Sequence, residues 1–361
     1  MTATIAERLL APRPLIEDAS AWIGADMAKR SDEWIYRLSS AEIAEVEAAV
    51  AHVRGRGMDL ATIRAADFPL PTLGPRLDAM RREILNGRGF VLIRGLPVEG
   101  RPIAEPATAY VGIGSHFGTP RSQNAQGHLL GHVRDLGLSA EKDPNVRIYQ
   151  TTERQTYHTD SCDIVGLLCL KTAKSGGLSS IVSSMTIYNE MAKRRPDLAR
   201  RLFEPFPTDR RGEVPEGKKP YFEIPVFNDH AGRLSVIYAR RYIQSSQRFP
   251  DARRLTAEDV EALDLFDDLA NDSRLRLDME FRPGDIQLLQ NHTLLHDRTA
   301  YVDWDEPEKK RHLLRLWLAA PADEARPLPP VYAERYGSVT PGDRGGIVVK
   351  GTRLHAPLQP V

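Results

Sequence analysis

The stretch QTYHTDSCDIVGLLCLKTA, residues 155–173, decides how the rest of the chain is read. His158 and Asp160 stand at i and i+2, so on an extended backbone both side chains project from one face and can grip a single metal ion. A lone His-x-Asp is weak evidence, because Asp is common. The apolar residues that follow it, with turn residues beyond at Gly176 and Gly177, read as a buried strand.

Downstream the texture stays the same. Short strands separated by turn residues are expected at SSIVSS from Ser179, YFEIPVFN from Tyr221, LSVIYAR from Leu234, LRLDMEFRPGDIQLLQN from Leu275 and RHLLRLWLA from Arg311, with VRIYQT from Val146 just upstream. This spacing argues for a closed or sandwiched antiparallel β core. One helix, YNEMAKRRPDLARRLF, interrupts the strands, and LTAEDVEALDLFDDLAND reads as a second, capped one. Toward the N-terminus, Ser39 with Glu42 three residues later forms a capping box ahead of a helix that stops at Gly55 and Gly57. A helix from Pro75 leads into the strand FVLIRGLP, and a further helix covers EPATAYVGIGSHFG.

Composition narrows the function classes. Lysine plus arginine equal aspartate plus glutamate at 49 each, so no global field draws the chain to nucleic acid or an anionic membrane. The two cysteines, Cys162 and Cys169, are too few for a disulfide framework, which favours a reducing, cytoplasmic setting. The first fifteen residues hold no apolar run of signal-peptide length, and no stretch approaches a membrane span, so a soluble, non-exported protein is expected. Oligomeric state is left open, and a homo-oligomer is permitted.

A third imidazole comes from NHTLLHDR, where His296 follows the strand-and-turn signal FRPGDIQLLQ. Two histidines and one carboxylate on neighbouring strands form the ligand set that suits Fe(II) with open coordination positions. Arg311 and Arg315 lie i, i+4 on one face of the next strand, where guanidiniums could clamp an organic acid in a bidentate fork. His292 and His296 mimic a helical zinc pair, but no glutamate follows His292 and the surroundings are strand and loop. His128 and His132 are flanked by glycines that disfavour a metal-binding helix, and GIGSHFG at 112–118 has the wrong spacing for a dinucleotide fingerprint.

The ordered set of HTD at 158–160, GGLSS at 176–180, FRPGD at 281–285, Asn291 five residues before His296, and Arg311 with Arg315 resembles the taurine dioxygenase and TfdA-like family of Fe(II)/2-oxoglutarate oxygenases, over about residues 87–320. The resemblance implies a mainly β protein with flanking helices (α+β), a distorted double-stranded β-helix or cupin-like jelly roll with iron at its open mouth. It implies His158, Asp160 and His296 as catalytic iron ligands, Arg311 on the distal carboxylate of 2-oxoglutarate, and Ser179 as a second contact to it where the family often has threonine. Arg315 matches a position that meets an acidic substrate group in some members; pairing with a carboxylate of the barrel wall is the alternative.

The expected division is an N-terminal helical extension at 1–86, the oxygenase domain at 87–320, and a loosely ordered Pro-rich tail at 321–361. The reaction implied uses O2 and 2-oxoglutarate, releases succinate and carbon dioxide, and oxidises, by default hydroxylates, a C–H bond of a small, anionic molecule. Halogenation is disfavoured because Asp160 is present; desaturation, cyclisation, or a jelly-roll metalloenzyme that does not use 2-oxoglutarate are the alternatives. Substrate contacts are expected from Arg315, Arg147, Tyr149 and Asn124, with Gln123 and Gln150 as further wall residues and Arg210 and Arg211 in a mobile lid.

Overall fold

The computed structural model describes residues 12–139 and 146–360. Alternation along single strands explains its layers. In Phe90–Arg94, Phe90 and Leu92 join one apolar cluster while Val91 and Ile93 join another. In His312–Ala319, Leu313 and Trp317 face one way and Leu314, Leu316 and Leu318 the other. A period of two therefore gives each strand an inner and an outer face, both apolar where both are covered.

Two sheets result. The larger has seven strands and runs Ile35–Arg37, Phe90–Arg94, Ile286–Gln290, Ile164–Lys171, His312–Ala319, Thr119–Pro120, with Gly131–Val133 also pairing to His312–Ala319. The smaller runs Arg276–Met279, Ser179–Ser183, Leu294–Arg298, Gln155–His158. Phe90, Val165, Leu289 and Trp317 of the first share a cluster with Ile181, Leu277, Met279 and Leu294 of the second, so the sheets pack face to face as a jelly-roll core. This is the mainly β architecture with flanking helices expected from the strand spacing, in its sandwiched rather than closed form.

Helices cover both outer faces. Ser40–Gly55, with the Ser39–Glu42 capping box formed as expected, packs with Gly74–Asn86 and Ala104–Ser115 on the larger sheet. Ser184–Arg194, Pro196–Arg201 and Ala257–Asn271 cover the smaller sheet through Val182 and Leu295. Burying each leucine or phenylalanine here contributes about 1.5–3 kcal/mol before entropy is counted. The single helix expected over residues 188–203 is two, because Pro196 cannot continue a helix and pushes Arg195 out of the helical region, to φ −145° and ψ 72°.

Three other expectations change. VRIYQT is not a strand: Ile148–Gln150 forms a 3-10 turn, held by Gln150 N–H on the Arg147 carbonyl and by Thr151 Oγ on the Ile148 carbonyl at 2.9 Å each. The segment before residue 87 is not only helical, since Ile35–Arg37 adds a parallel edge strand beside Phe90–Arg94. The Pro-rich tail is irregular but pinned. Tyr332 and Arg344 are buried, and Arg344 Nε donates to Asp163 at 2.9 Å while Asp163 also accepts from the Ala320 N–H at 3.0 Å and meets His292 Nε2 at 2.8 Å.

Candidate iron site at the meeting of two cavities

His158 ends the Gln155–His158 strand, and its register partner on the neighbouring strand is His296. Asp160 lies just past the strand end, where Asn291 clamps its backbone: the Asn291 amide accepts the Asp160 N–H and donates to the Asp160 and Cys162 carbonyls, all at 2.8 Å. That is the physical use of an asparagine five residues before His296. One ligand atom from each of His158, Asp160 and His296 lies within 4.8 Å of the others. Nε2 of His158 is 3.8 Å from Asp160 Oδ1, and Nε2 of His296 is 3.6 Å from Oδ2.

Protonation suits a metal. His158 Nδ1 is 2.8 Å from the Thr156 carbonyl, which holds the proton on that nitrogen and leaves Nε2 a lone pair. Burial, reinforced by the facing His296, pushes the His158 pKa down to about 3, so the ring is neutral. Burial opposes ionisation of Asp160, but Arg315 and the facing His296 hold it well below the usual carboxylate range. Trp317 Nε1 donates to Asp160 Oδ2 at 2.7 Å, and Arg315 Nη1 reaches the same oxygen at 3.4 Å. The Gln155 amide nitrogen sits 2.8 Å from His158 Nε2, the contact a bound metal would displace. Two imidazoles and an ionised carboxylate are a fitting set for Fe(II).

Two cavities share His158, Gln155, Tyr149 and Arg315 and so meet at this point. The smaller, of about 430 Å³, is lined by Ser179, Phe281, Arg298, Arg311 and Leu313 among others. Arg311 is buried, donates to the Gly177 carbonyl at 3.3 Å, and keeps Nη1 without a partner among the described residues. Gly177 makes room for it: φ is +67°, and a Cβ there would stand 2.9 Å from Arg311 Nε. Arg298, two residues past His296 on the same strand face, keeps both Nε and Nη1 unpartnered among the described residues. Burial, then repulsion from Arg311, pulls the Arg298 pKa down to about 10. Ser179 Oγ donates only weakly, to Gln287 at 3.4 Å. Buried donors of two cations at the wall of this cavity fit a carboxylate, which would satisfy them.

The larger cavity, about 1050 Å³ counting its open mouth, takes in Arg147 and Tyr149 but not Gln150. Tyr149 stacks under the Arg315 guanidinium, 4.6 Å from ring centre to Cζ, with Trp317 on it at 4.9 Å. Arg315 Nε donates to Gln123 at 2.7 Å. Arg315 therefore reaches the Asp160 carboxylate while also lining both cavities. Asn124 is elsewhere: its carbonyl oxygen accepts the Gly127 and His128 N–H groups, its amide meets His128 Nδ1 at 3.0 Å, and it lines a separate side pocket. Arg210 is no lid residue, being buried against the Glu334 and Lys219 carbonyls, whereas Arg211 reaches the cavity.

Sequence reasoning did not single out Trp317, Arg298 or Arg335. The first two lie i+2 from residues it did choose, Arg315 and His296, so the same alternation would have found them. Arg335 comes from the tail and carried no signal.

The model of the family described as Taurine catabolism dioxygenase TauD, TfdA family, matches residues 56–317. FR-33289 synthase from Streptomyces rubellomurinus is 32% identical over 305 residues, 83% of this chain and 88% of that protein. The taurine hydroxylase-like protein SAT17 from Stachybotrys chartarum is 32% identical over 310 residues, 83% of this chain and 79% of that one. Among solved structures, an asparagine oxygenase in complex with Fe(II), hydroxyasparagine and succinate superposes with a TM-score of 0.59 at 16% identity, covering 79% of this chain and 93% of that one. With its length matched this far, the chain belongs to the TauD/TfdA family of 2-oxoglutarate-dependent non-haem iron dioxygenases.

Proposed function

We propose that the protein hydroxylates an unactivated C–H bond of a small anionic organic molecule, with His158, Asp160 and His296 as iron ligands. The observation that carries this is their convergence where two cavities meet, one lined by unpartnered cationic donors and the other large enough for a substrate. Bound there, Fe(II) with 2-oxoglutarate and O2 supplies oxidative decarboxylation to succinate and carbon dioxide, coupled to oxidation of the substrate.

The chain's own residues do the rest. Arg311, and Arg298 beside it, hold the distal carboxylate in the smaller cavity, with Ser179 as a weaker contact. Trp317 and Arg315 keep Asp160 ionised and oriented, so Arg315 acts through the metal ligand as a positioning residue. Tyr149 and Gln123 fix the Arg315 guanidinium in turn. The apolar wall of the larger cavity, with Ile224, Val226, Ile237 and Tyr238, excludes water and orients the carbon skeleton. The catalytic unit in this reading runs past residue 320, because Arg335 lines the same cavity. A cytoplasmic setting belongs to the reading too, supported by the free, buried thiols of Cys162 and Cys169. No helix among the described residues is long and apolar enough to cross a membrane.

The test is anaerobic addition of Fe(II) and then 2-oxoglutarate to the folded protein, followed in visible absorption. A charge-transfer band that saturates at one equivalent is expected in the wild type and lost in Asp160→Ala. An iron-loaded wild type without the band overturns the reading.

A further inference from the structure

The far wall of the larger cavity carries more positive charge than its carboxylates balance. Arg147, Arg211 and Arg335 all line it. Glu213 forms an ion pair with Arg147 and is the one carboxylate so paired with this trio among the described residues. The other carboxylates close by are already engaged: Asp209 with Arg248 at 3.2 Å, Glu334 with Arg210 and Lys218 at 3.1 and 3.0 Å, and Asp160, which lines the same cavity, with Arg315 at 3.4 Å. Three guanidiniums with one carboxylate paired among them leave a surplus of two positive charges, and buried charge without a counter-charge is costly.

Several donors there also lack acceptors. Arg211 Nε is buried with no partner among the described residues, although Nη2 donates to the Val146 carbonyl at 3.1 Å. Arg335 spends Nε on Ser161 Oγ at 2.6 Å, and its two terminal nitrogens have no partner among the described residues. The Tyr242 hydroxyl meets Arg147, and the Arg147 and Arg211 guanidinium carbons lie 5.6 and 5.3 Å from the Tyr242 ring centre. Burial alone would raise the Tyr242 phenol, yet Arg147, Arg335 and Arg211 outweigh it and bring it below its ordinary value, a gauge of how positive the wall is. Arg211, which lines the cavity, is also one of two non-glycine residues with positive φ among the described residues, at +54°.

We infer that this wall is a subsite for a phosphoryl dianion, the head group of a phosphate monoester or phosphonate, gripped by Arg147, Arg211 and Arg335 with the Tyr242 hydroxyl. The substrate's carbon skeleton then lies along Phe222, Ile224 and Ile237 toward the iron ligands. The inference rests on reading this cavity as the oxygenase's substrate site and narrows the anion it takes. A dianion with three acceptor oxygens matches both the surplus of two charges and the three unsatisfied nitrogens, where a carboxylate brings one charge and two oxygens.

The experiment uses the whole protein, loaded anaerobically with Fe(II) and 2-oxoglutarate, and isothermal titration with butyl phosphate, butyl sulfate, butyrate and 1-butanol. Butyl phosphate is expected to bind at least about tenfold tighter than either monoanion at pH 7.5, and to weaken toward pH 5 as the dianion is lost around a second ionisation near pH ~6. Arg211→Gln and Arg335→Gln should each weaken it about tenfold while the 2-oxoglutarate titration of the visible band stays unchanged. Arg335→Lys, which restores a charge, should recover part of the loss, as a merely misfolded variant would not. Binding that ignores the head group, or Gln variants that bind like wild type, overturns the subsite. The two readouts fail separately: a missing band with tight butyl phosphate binding removes the oxygenase reading alone, and a normal band with head-group-blind binding removes the dianion alone.

Discussion

Trp317 donates to the same Asp160 oxygen that Arg315 reaches, so the iron-ligating carboxylate is held from behind by two side chains of one strand. Groups that orient a metal ligand in this way typically govern affinity by about 10–100-fold. Trp317→Phe keeps the ring in the core and removes only the donor; Fe(II) titration should show affinity lowered about tenfold with the melting temperature little changed. Arg311→Ala removes a buried cation from the smaller cavity. Its expected effect is a rise of about tenfold or more in the 2-oxoglutarate concentration needed for half-saturation, with iron affinity unaltered. A titration curve identical to wild type would place the clamp elsewhere, with Arg298 the next residue to test.

At the scale of an element, the helix Ala257–Asn271 shows how one carboxylate does three jobs. Asp259 closes the capping box with Thr256 and accepts from Arg201 at 2.5 Å and Arg253 at 2.6 Å, with no exposed side-chain surface. Burial alone would raise its pKa, but the hydrogen bonds from Arg253 and Arg201 bring it down to about 2. A depressed folded-state value means the group stabilises the fold above its unfolded value, near ~3.9, and that this is lost as pH falls toward 2. Asp259→Asn should therefore lower stability at pH 7 by about 2 kcal/mol and by much less at pH 2–3. Urea unfolding at both pH values measures this, and a loss independent of pH would show that the charge is not what matters.

Across the whole molecule, the C-terminal segment closes the fold. Asp163 sits at the start of a central strand and gathers His292, Arg344 and the Ala320 N–H, so the tail caps the strand that follows the iron ligands. Arg344→Ala leaves a buried carboxylate with its charge partner gone and should cost about 3–5 kcal/mol, read as a lower urea midpoint. The same tail places Arg335 in the cavity, a contribution its composition gave no reason to expect. Much else was readable: the alternation of QTYHTD and RHLLRLWLA put His158 with Asp160, and Arg311 with Arg315, on common faces, while Ser39, Glu42 and Thr256 marked helix starts. These succeed because strand alternation and caps depend on neighbours a few residues away. The turn at Ile148–Gln150 and the Asn124 contacts with Gly127 and His128 are local too, but apolar alternation does not reveal them, whereas what Arg315 touches was settled only by packing between segments more than a hundred residues apart. Local chemistry thus chose the ligands and the strands, and long-range contact decided which charges were left without partners, because a counter-ion is supplied by whichever segment the fold brings near.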